Sequence, residues 1–325
     1  MLKRTLLSAI LMAAASTAQA DQNDDFNTYV ETLKGEAIEA GIAPATVEAA
    51  FKDVKLFKRA IAADRSQPEQ VKTLDTYLPQ AVPQWKVDKA IRLYREHEAL
   101  LTEVGEAYGV QPRFIVALWG IETNFGSYTG NYSVIGATAS LAFEGRREAF
   151  FKEQLMAALK IIEQGHVAPK DMKGSWAGAM GQTQFMPTSF LNYAVDYDGD
   201  GRKDIWGTLP DVFASAANYL QQVGWRDDQT WARQVTVAES IDPALTGREV
   251  KKSLSEWQSL GVRRFDGSAL PERDDITASL VYPDDVSGRI YLTYDNYDAL
   301  MRWNRSNYFA VAVGYLADRI KFTDG

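Results

Sequence analysis

The sequence has 325 residues, a formal net charge of −8 and no cysteine, with 46% apolar and 24% charged residues. This composition excludes a disordered or fibrous chain, and the length allows one large domain or two smaller ones. The acidic balance argues against nucleic acid as a partner, since nucleic-acid-binding proteins present a basic surface. Without cysteine there is neither a disulfide framework nor thiol catalysis.

The first 20 residues have the pattern of a secretory signal peptide. Lys3 and Arg4 precede a short apolar run at 6–15, and Ala18 to Ala20 forms a small-x-small cleavage site. The alternative, a membrane anchor, requires an apolar run of roughly 20 residues. We therefore expect export and a soluble mature protein. A lipid anchor is not expected, because the cleavage site has no cysteine.

Helical periodicity predominates in most of the chain. Phe26, Tyr29, Val30 and Leu33 recur at helical spacing. Further helices are predicted at about 86–108, 112–122, 147–164, 211–223 and 297–315. Short β-like runs broken by glycine and proline occupy 234–282, and one more strand is expected at 289–293. The fold class is therefore predicted as mainly α (α+β), with a small β insertion rather than two independent domains.

Glu122 is the sharpest chemical feature of the sequence. It is the single charge at the end of the apolar helix that contains 114–119. Burial disfavours the ionised form of a carboxyl group and raises its pKa, as a general acid at neutral pH requires. The alternative is a helix-end glutamate that pairs with an arginine, and the spacing alone leaves both interpretations open.

A loop rich in glycine and glutamine, from Gly178 to Pro187, is the second feature. Glycines allow the backbone to approach a ligand closely, and the amides of Gln182 and Gln184 suit sugar hydroxyls. A structural loop with buried amides explains the composition equally simply, and composition alone favours it.

A calcium-like loop begins at Asp196. Asp196, Asp198 and Asp200 occupy the first, third and fifth positions of an EF-hand-like pattern, and glycine occupies the sixth. The carbonyl of Arg202 would supply the seventh-position ligand. A glycine replaces the usual glutamate at the twelfth position, so Asp211 is the candidate for that role. The alternative is a polar surface turn, but the spacing favours a metal.

Other catalytic patterns are weak. With only two histidines, a zinc cluster is not expected, and no Gly-x-Ser-x-Gly nucleophile motif occurs. Several aromatic residues are candidates for lining a sugar cleft, although most aromatic side chains belong to protein cores. They are Tyr128, Tyr132, Tyr219, Trp303, Tyr308 and Phe309.

Three segments resemble lytic murein transglycosylases of the membrane-bound B type. They are GIETNFG at 120–126, RREAFF at 146–151 and GSWAGAMGQTQFMP at 174–187. The calcium-like loop and the Asn-Tyr-Leu sequence at 218–220 follow in the family's order, and the resemblance extends over about 26–320. It implies a lysozyme-like helical core at about 111–225. A helical subdomain at about 21–110, a small β subdomain at about 230–293 and closing helices at about 295–321 would complete the chain.

The resemblance also implies roles for individual residues. Glu122 matches the single catalytic acid and base, and Ser175 and Gln184 match residues near the scissile bond. Arg146 and Arg147 match a pair that binds carboxylates of the substrate.

Further matches lie elsewhere in the chain. Tyr77 and Tyr219 match cleft tyrosines, and Asn304 lies in the family's C-terminal asparagine-containing segment. Trp303 and Phe309 stand where tyrosines are usual, so neither supplies a hydroxyl donor.

The implied metal is a structural Ca²⁺, and no cofactor is expected for the chemistry. The resemblance assigns this ion to the calcium-like loop, with the ligands Asp196, Asp198, Asp200, Arg202 and Asp211. The loop is one residue longer than in some members of the family, so Asp211 is the least secure of these ligands.

The predicted function is cleavage of the MurNAc-GlcNAc β-1,4 bond of peptidoglycan with formation of a 1,6-anhydro-MurNAc end. Glycan strands are the expected partner, with cell-wall synthesis proteins as possible others, and the periplasm is the expected compartment. A peptidoglycan-hydrolysing lysozyme and a non-catalytic cell-wall scaffold are the alternatives. A lysozyme would need a second carboxylate about 5 to 10 Å from the first.

Overall fold

The computed structural model describes residues 23–66, 73–237, 241–273, 275–284 and 288–321. The predicted signal peptide at 1–20 lies outside these residues. Within the described part of the chain, no helix has both the length and the apolar character that a membrane crossing requires.

Helices dominate the described structure, and a small antiparallel sheet accompanies them, which confirms the predicted mainly helical fold class with a β part. The first six helices are α1 (23–39), α2 (Pro44–Phe51), α3 (Lys58–Arg65), α4 (Leu74–Ala81), α5 (Gln84–Glu96) and α6 (Glu98–Tyr108). The next four are α7 (Pro112–Thr123), α8 (Val134–Glu144), α9 (Glu148–Glu163) and α10 (Pro187–Tyr193). The last four are α11 (Leu209–Gln222), α12 (Leu254–Ser259), α13 (Asp295–Trp303) and α14 (Asn307–Lys321).

The strands are short and fall into two sheets. Strands β1 (Tyr132–Ser133) and β2 (Lys173–Gly174) form an antiparallel pair. The larger sheet contains β3 (Ala232–Val237), β4 (Lys252–Ser253), β5 (Val262–Arg264), β6 (Thr277–Val281) and β7 (Ile290–Thr293). Its order is β4-β6-β7-β3-β5, and all of its pairs are antiparallel.

Two of the predicted helices are broken in the structure. The one predicted at 86–108 is interrupted at His97, whose φ of −110° and ψ of 18° separate α5 from α6. The ring of His97 lies 6.2 Å from Trp119 and 5.9 Å from Phe213, contacts that the local sequence does not reveal. The helix predicted at 297–315 is interrupted at Asn304, which is extended with a φ of −144°.

The described residues form two compact units, each built from separate stretches of the chain. The first unit includes the residues up to 66, Thr129–Asn192 and Gly199–Gly207. The second includes the residues from 73 to Tyr128, Tyr193–Asp198 and those from Thr208 onward. The subdomain boundaries drawn from the sequence, which are consecutive segments, stay a prediction.

In the first unit, α8 and α9 pack against each other, and α2 and α3 contact them. Leu141, Ala142 and Phe151 form a buried cluster between these helices. The ring of Phe57 approaches α8 closely at Gly136, and a Cβ at this position would lie 2.8 Å from that ring. Only a glycine leaves room for this contact. These contacts hold the segments that flank α9 in place.

In the second unit, α7 is the central helix, and α5, α6, α11 and α14 pack around it. Every residue from Phe114 to Gly120 is buried, as the apolar sequence predicts. Each fully buried leucine or isoleucine side chain contributes about 1.5 to 3 kcal/mol to the free energy of unfolding. The larger sheet belongs to the same unit and has its own core around the fully buried Trp257, whose indole donates to the carbonyl of Ala278.

Candidate active site

Glu122 lies in the last turn of α7, and the ends of this helix explain its position. Pro112 begins the helix, and Asn124 ends it in the left-handed region with a φ of 54°. The C-terminus of a helix carries a partial negative charge, which disfavours a second negative charge on Glu122. The apolar residues that precede Glu122 are buried, so its carboxyl group is held against a low-dielectric core.

Burial raises the pKa of Glu122 from 4.5 to about 7, and a hydrogen bond from the indole of Trp303 opposes this rise. Burial dominates because it removes water from the ionised form more effectively than one donor compensates. At neutral pH a substantial fraction of Glu122 is therefore protonated. Of the two interpretations that the sequence left open, the structure favours the neutral acid, since the partner of Glu122 is an indole and not an arginine.

Trp303 is the direct partner of Glu122. Its Nε1 donates to Oε1 of Glu122 at 2.6 Å. The indole ring packs on the ring of Tyr219 at a centroid distance of 4.7 Å, and Tyr219 packs on Tyr193 at 4.5 Å. The hydroxyl of Tyr219 donates to the backbone carbonyl of Arg302 at 2.8 Å, which ties the stack to the end of α13.

Tyr77 and Asn304, which the resemblance singled out, also belong to the second unit. Tyr77 on α4 is half-buried, and its ring lies 5.3 Å from that of Tyr308. Burial raises the pKa of Tyr77, and the nearby charge of Glu122 adds to this effect. Asn304 is exposed directly after α13, whereas Phe309 is buried in the core with 7% of its surface exposed.

Arg146 and Arg147 lie in the first unit, between α8 and α9. One aspartate, Asp64, orients both, because each of its carboxylate oxygens accepts a hydrogen bond from one of the two guanidinium groups. Asp64 is only 3% exposed, while the two arginine side chains are 53% and 43% exposed. Each guanidinium has five N–H donors, so the pair retains donors for an anionic ligand. Asp64 was not identified from the sequence, since it is 82 residues from Arg146.

The glycine-rich loop is also in the first unit. The hydroxyl oxygen of Ser175 accepts from the backbone N–H of Ala179 at 3.1 Å. Nε2 of Gln184 donates to the carbonyls of Thr129 at 3.1 Å and Gly181 at 2.9 Å. Both amide protons of Gln184 are therefore directed to the backbone, and a bond to a sugar hydroxyl would be accepted by Oε1. Position 181 requires a glycine for two reasons. Its φ is +61°, and a Cβ there would lie 2.6 Å from the carbonyl oxygen of Ile205.

Asp196, Asp198 and Asp211 converge in the second unit. One carboxylate oxygen from each lies within 4.8 Å of the other two, and Asp211 is completely buried. The backbone N–H of Tyr197 donates to Oδ1 of Asp211 at 2.7 Å, which orients this carboxylate. Three acidic oxygens at this spacing suit a hard divalent cation, since Ca²⁺ prefers oxygen ligands at 2.3–2.6 Å. These donors therefore fit the predicted ion.

The other two predicted metal ligands belong to the first unit. The backbone N–H of Arg202 donates to Oδ1 of Asp200 at 2.8 Å, a bond typical of a tight acidic loop. The guanidinium of Arg202 donates to the carbonyl of His166 at 3.2 Å.

The structure thus brings the predicted residues together in groups. Glu122 and Tyr77 lie within electrostatic reach of each other, and Tyr219 reaches Glu122 through Trp303. Trp303 has no hydroxyl to donate, and the role of its indole N–H as the donor to Glu122 was not predicted from the sequence. The signal was available, because an indole is a hydrogen-bond donor and never an acceptor.

The fold and these groups of residues define the class of protein. A model of the transglycosylase SLT domain matches residues 25–318, and the chain belongs to this family. Membrane-bound lytic murein transglycosylase B of Escherichia coli (strain K12) is 32% identical over 238 residues. That alignment covers 72% of this chain but 63% of the relative, so the chain spans less than two thirds of the relative's length.

Similar solved structures support the same family assignment. SltB3 from Pseudomonas aeruginosa in complex with NAG-anhNAM-pentapeptide has 41% identity and a TM-score of 0.88, with 91% of this chain and 80% of that chain covered. SltB1 from the same organism has 30% identity and a TM-score of 0.80, with coverages of 92% and 99%. Escherichia coli Slt35 in complex with calcium has 26% identity and a TM-score of 0.77, with coverages of 92% and 93%. The predicted family resemblance and lysozyme-like fold class are confirmed.

Proposed function

We propose that this chain is a peptidoglycan lytic transglycosylase that uses Glu122 as both acid and base. The observation that carries the proposal is the carboxyl of Glu122, whose burial raises its pKa to about 7 and leaves a substantial fraction protonated near neutral pH. A general acid works best when its pKa lies near the operating pH. Membership of the family and the similarity to murein transglycosylases support the substrate class.

The reaction requires two proton transfers at Glu122. The protonated carboxyl donates its proton to the glycosidic oxygen between MurNAc and GlcNAc, and the bond from this oxygen to the anomeric carbon breaks. The resulting oxocarbenium-like centre is attacked by the C6 hydroxyl of the same MurNAc. Ionised Glu122 accepts the hydroxyl proton and returns to its initial state. The attacking group is already tethered to the reacting sugar, so no water has to be positioned.

The lysozyme alternative requires a second carboxylate beside the first. A close carboxylate would raise the pKa of Glu122 by charge repulsion. Among the described residues, this pKa is governed by burial and by Trp303, without a contribution from another carboxylate. Since a second carboxylate can change this pKa only slightly, the products released from sacculi decide between the two reactions. The scaffold alternative is disfavoured because a binding module gains nothing from a carboxyl with a pKa near neutrality.

Arg146 and Arg147 favour the binding of a negatively charged segment of the substrate. Asp64 fixes the orientation of the guanidinium groups of Arg146 and Arg147. Guanidinium groups bind carboxylates in paired hydrogen bonds. Peptidoglycan carries lactyl and peptide carboxylates. SltB3 has been crystallised with NAG-NAM-pentapeptide, a ligand of this type. In this proposal Ser175, Gln184, Tyr77, Tyr219 and Asn304 contact the sugars.

The product distinguishes the candidate functions. Purified sacculi incubated with the protein should release muropeptides that end in 1,6-anhydro-MurNAc. In mass spectrometry these fragments are lighter by one water than the products of hydrolysis. Fragments with ordinary reducing ends would establish the lysozyme alternative, and the absence of soluble fragments would favour the scaffold.

The mature protein should be recovered in the soluble periplasmic fraction. The expectation rests on the apolar run at 6–15, the cleavage site that ends at Ala20 and the absence of cysteine. Cell fractionation followed by N-terminal sequencing should give a chain that begins at Asp21. Recovery in a membrane fraction that resists high-salt washing would contradict this expectation.

A structural Ca²⁺ completes the proposal. Asp196, Asp198 and Asp211 would hold the ion, together with Asp200 and the carbonyl of Arg202. The complex of Escherichia coli Slt35 with calcium supports the choice of ion. The ion would neutralise the converging carboxylates and fix the start of α11, without taking part in the reaction.

A further inference from the structure

The indole of Trp303 differs chemically from the tyrosine hydroxyl that is usual at this position. A hydroxyl can donate or accept, and it adapts to either protonation state of its partner. An indole N–H only donates. Its bond to Oε1 of Glu122, at 2.6 Å, therefore requires this oxygen to act as an acceptor in both protonation states of the carboxyl.

A neutral carboxyl has two unlike oxygens, and the carbonyl oxygen accepts hydrogen bonds better than the hydroxyl oxygen. We propose that Trp303 is a positioning residue that keeps Oε1 of Glu122 as the carbonyl oxygen and thereby confines the transferable proton to Oε2. This inference rests on the proposed function, because it assigns the atom from which the proton leaves. After the transfer, the same indole bond stabilises the carboxylate that will accept the second proton.

The surroundings of Trp303 restrict its orientation. Its ring lies 4.7 Å from that of Tyr219 at an interplanar angle of 64°, and Tyr219 lies 4.5 Å from Tyr193 at 60°. The hydroxyl of Tyr219 is bound to the carbonyl of Arg302, the residue before Trp303. The indole therefore cannot rotate away from Glu122 without disrupting this stack, and the donor is preorganised before substrate binds.

Among the described residues, the side chain of Glu122 has Trp303 as its hydrogen-bond partner. Burial raises the pKa values of Tyr77 on α4 and Tyr219 on α11, so both phenols are neutral at pH 7. Lys89 on α5 donates to the carbonyl of Asn124 and the hydroxyl of Ser127. Arg302 on α13 donates to the carbonyl of Val223, and Asp318 on α14 accepts from the indole of Trp231.

The test replaces the donor and keeps the ring. Incorporation of 3-benzothienylalanine at position 303 substitutes sulfur for the N–H in an almost identical ring system, and Trp303→Phe provides a genetically simple second variant. The matched control is Trp231→Phe, which removes an indole donor at 2.9 Å from a different carboxylate, that of Asp318. Each protein is studied by infrared spectroscopy with ¹³C-labelled glutamate, and the Glu122 band is identified by its loss in Glu122→Gln.

Three readouts are expected to change together. The C=O stretch of protonated Glu122 should move to higher frequency in both position-303 variants, because a carbonyl oxygen loses its hydrogen bond. The pKa of Glu122 should rise by about one to two units, the size expected for losing one hydrogen bond to a charged group. The alkaline limb of the kcat/KM profile on sacculi should move upward by the same amount, while the Trp231→Phe control keeps the wild-type values.

The outcomes separate this inference from the proposed function. An unshifted C=O band in the benzothienyl variant would overturn the inference, even if activity falls. If the band shifts in the variants but the wild-type protein releases no fragments from sacculi, the proposed function is refuted while the hydrogen bond stays established. If Trp303→Phe does not fold, the benzothienyl variant decides alone, since its ring preserves the stack with Tyr219.

Discussion

Replacement of Glu122 by glutamine is expected to reduce the turnover of sacculi by at least roughly a hundredfold, the usual scale for the loss of a general acid. Glutamine preserves the shape of the side chain, and its carbonyl oxygen can still accept from the indole of Trp303. It cannot donate the proton that the glycosidic oxygen requires. The rate of fragment release, measured by chromatography, should therefore fall while binding to sacculi is retained.

The matched control for this variant is Glu106→Gln, which makes the same chemical change at an exposed position of α6. It should retain wild-type turnover. Activity in Glu122→Gln within a factor of a few of the wild type would exclude Glu122 as the acid.

Glu122→Gln should be more stable than the wild type at alkaline pH. This result would show that its inactivity does not come from unfolding. The folded-state pKa of Glu122, about 7, lies above its ordinary value of 4.5. The folded protein thus holds a proton that the unfolded chain has released, and stability decreases as pH rises through this window. Above it, ionised Glu122 lowers the free energy of unfolding by about 3 kcal/mol. The melting temperature of Glu122→Gln relative to the wild type should therefore increase from pH 4 to pH 8.

The second large effect is expected from calcium. A ligand that binds only the folded state stabilises it by about 2.7 kcal/mol at a hundredfold excess over its dissociation constant. For a chain of this size, the gain corresponds to a rise in melting temperature of roughly 5 °C. Chelation should reverse the rise, because it leaves three converging carboxylates without a counter-ion.

Asp198→Ala should remove most of this calcium response. Asp198 is exposed, so its replacement leaves the core intact, and it contributes one of the three converging oxygens. The control is Asp227→Ala, which removes the same charge from an exposed position of the same unit. Differential scanning calorimetry with calcium and with chelator measures both. A full calcium response in Asp198→Ala would mean that the aspartates form only a surface turn.

Several features of the fold follow from local sequence. The apolar run 114–119 predicts a buried helix, and the structure buries every one of these residues. Gly109 ends α6 in the left-handed conformation, as its position in the sequence predicts. Such features depend on periodicity and on the conformational freedom of single residues, which are readable without tertiary contacts.

The helix breaks at His97 and Asn304 could not be predicted in this way. Neither residue is a proline or a glycine, and the flanking residues are compatible with continuous helices. The ring of His97 instead packs against Trp119 and Phe213, two rings that also contact each other. Tertiary packing overrides local propensity at such positions because propensity differences amount to less than about 1 kcal/mol per residue.

For the candidate site, the sequence by itself singled out the candidate groups: one carboxyl at the end of an apolar helix, a pair of arginines and a series of spaced aspartates. The tertiary structure decided how they are controlled. Trp303 donates to Glu122 across 181 residues of sequence, and Asp64 orients Arg147 across 83. The pKa of a carboxyl depends on the burial and the donors that surround it in space. Those surroundings come from distant segments, so they exist only once the chain has folded.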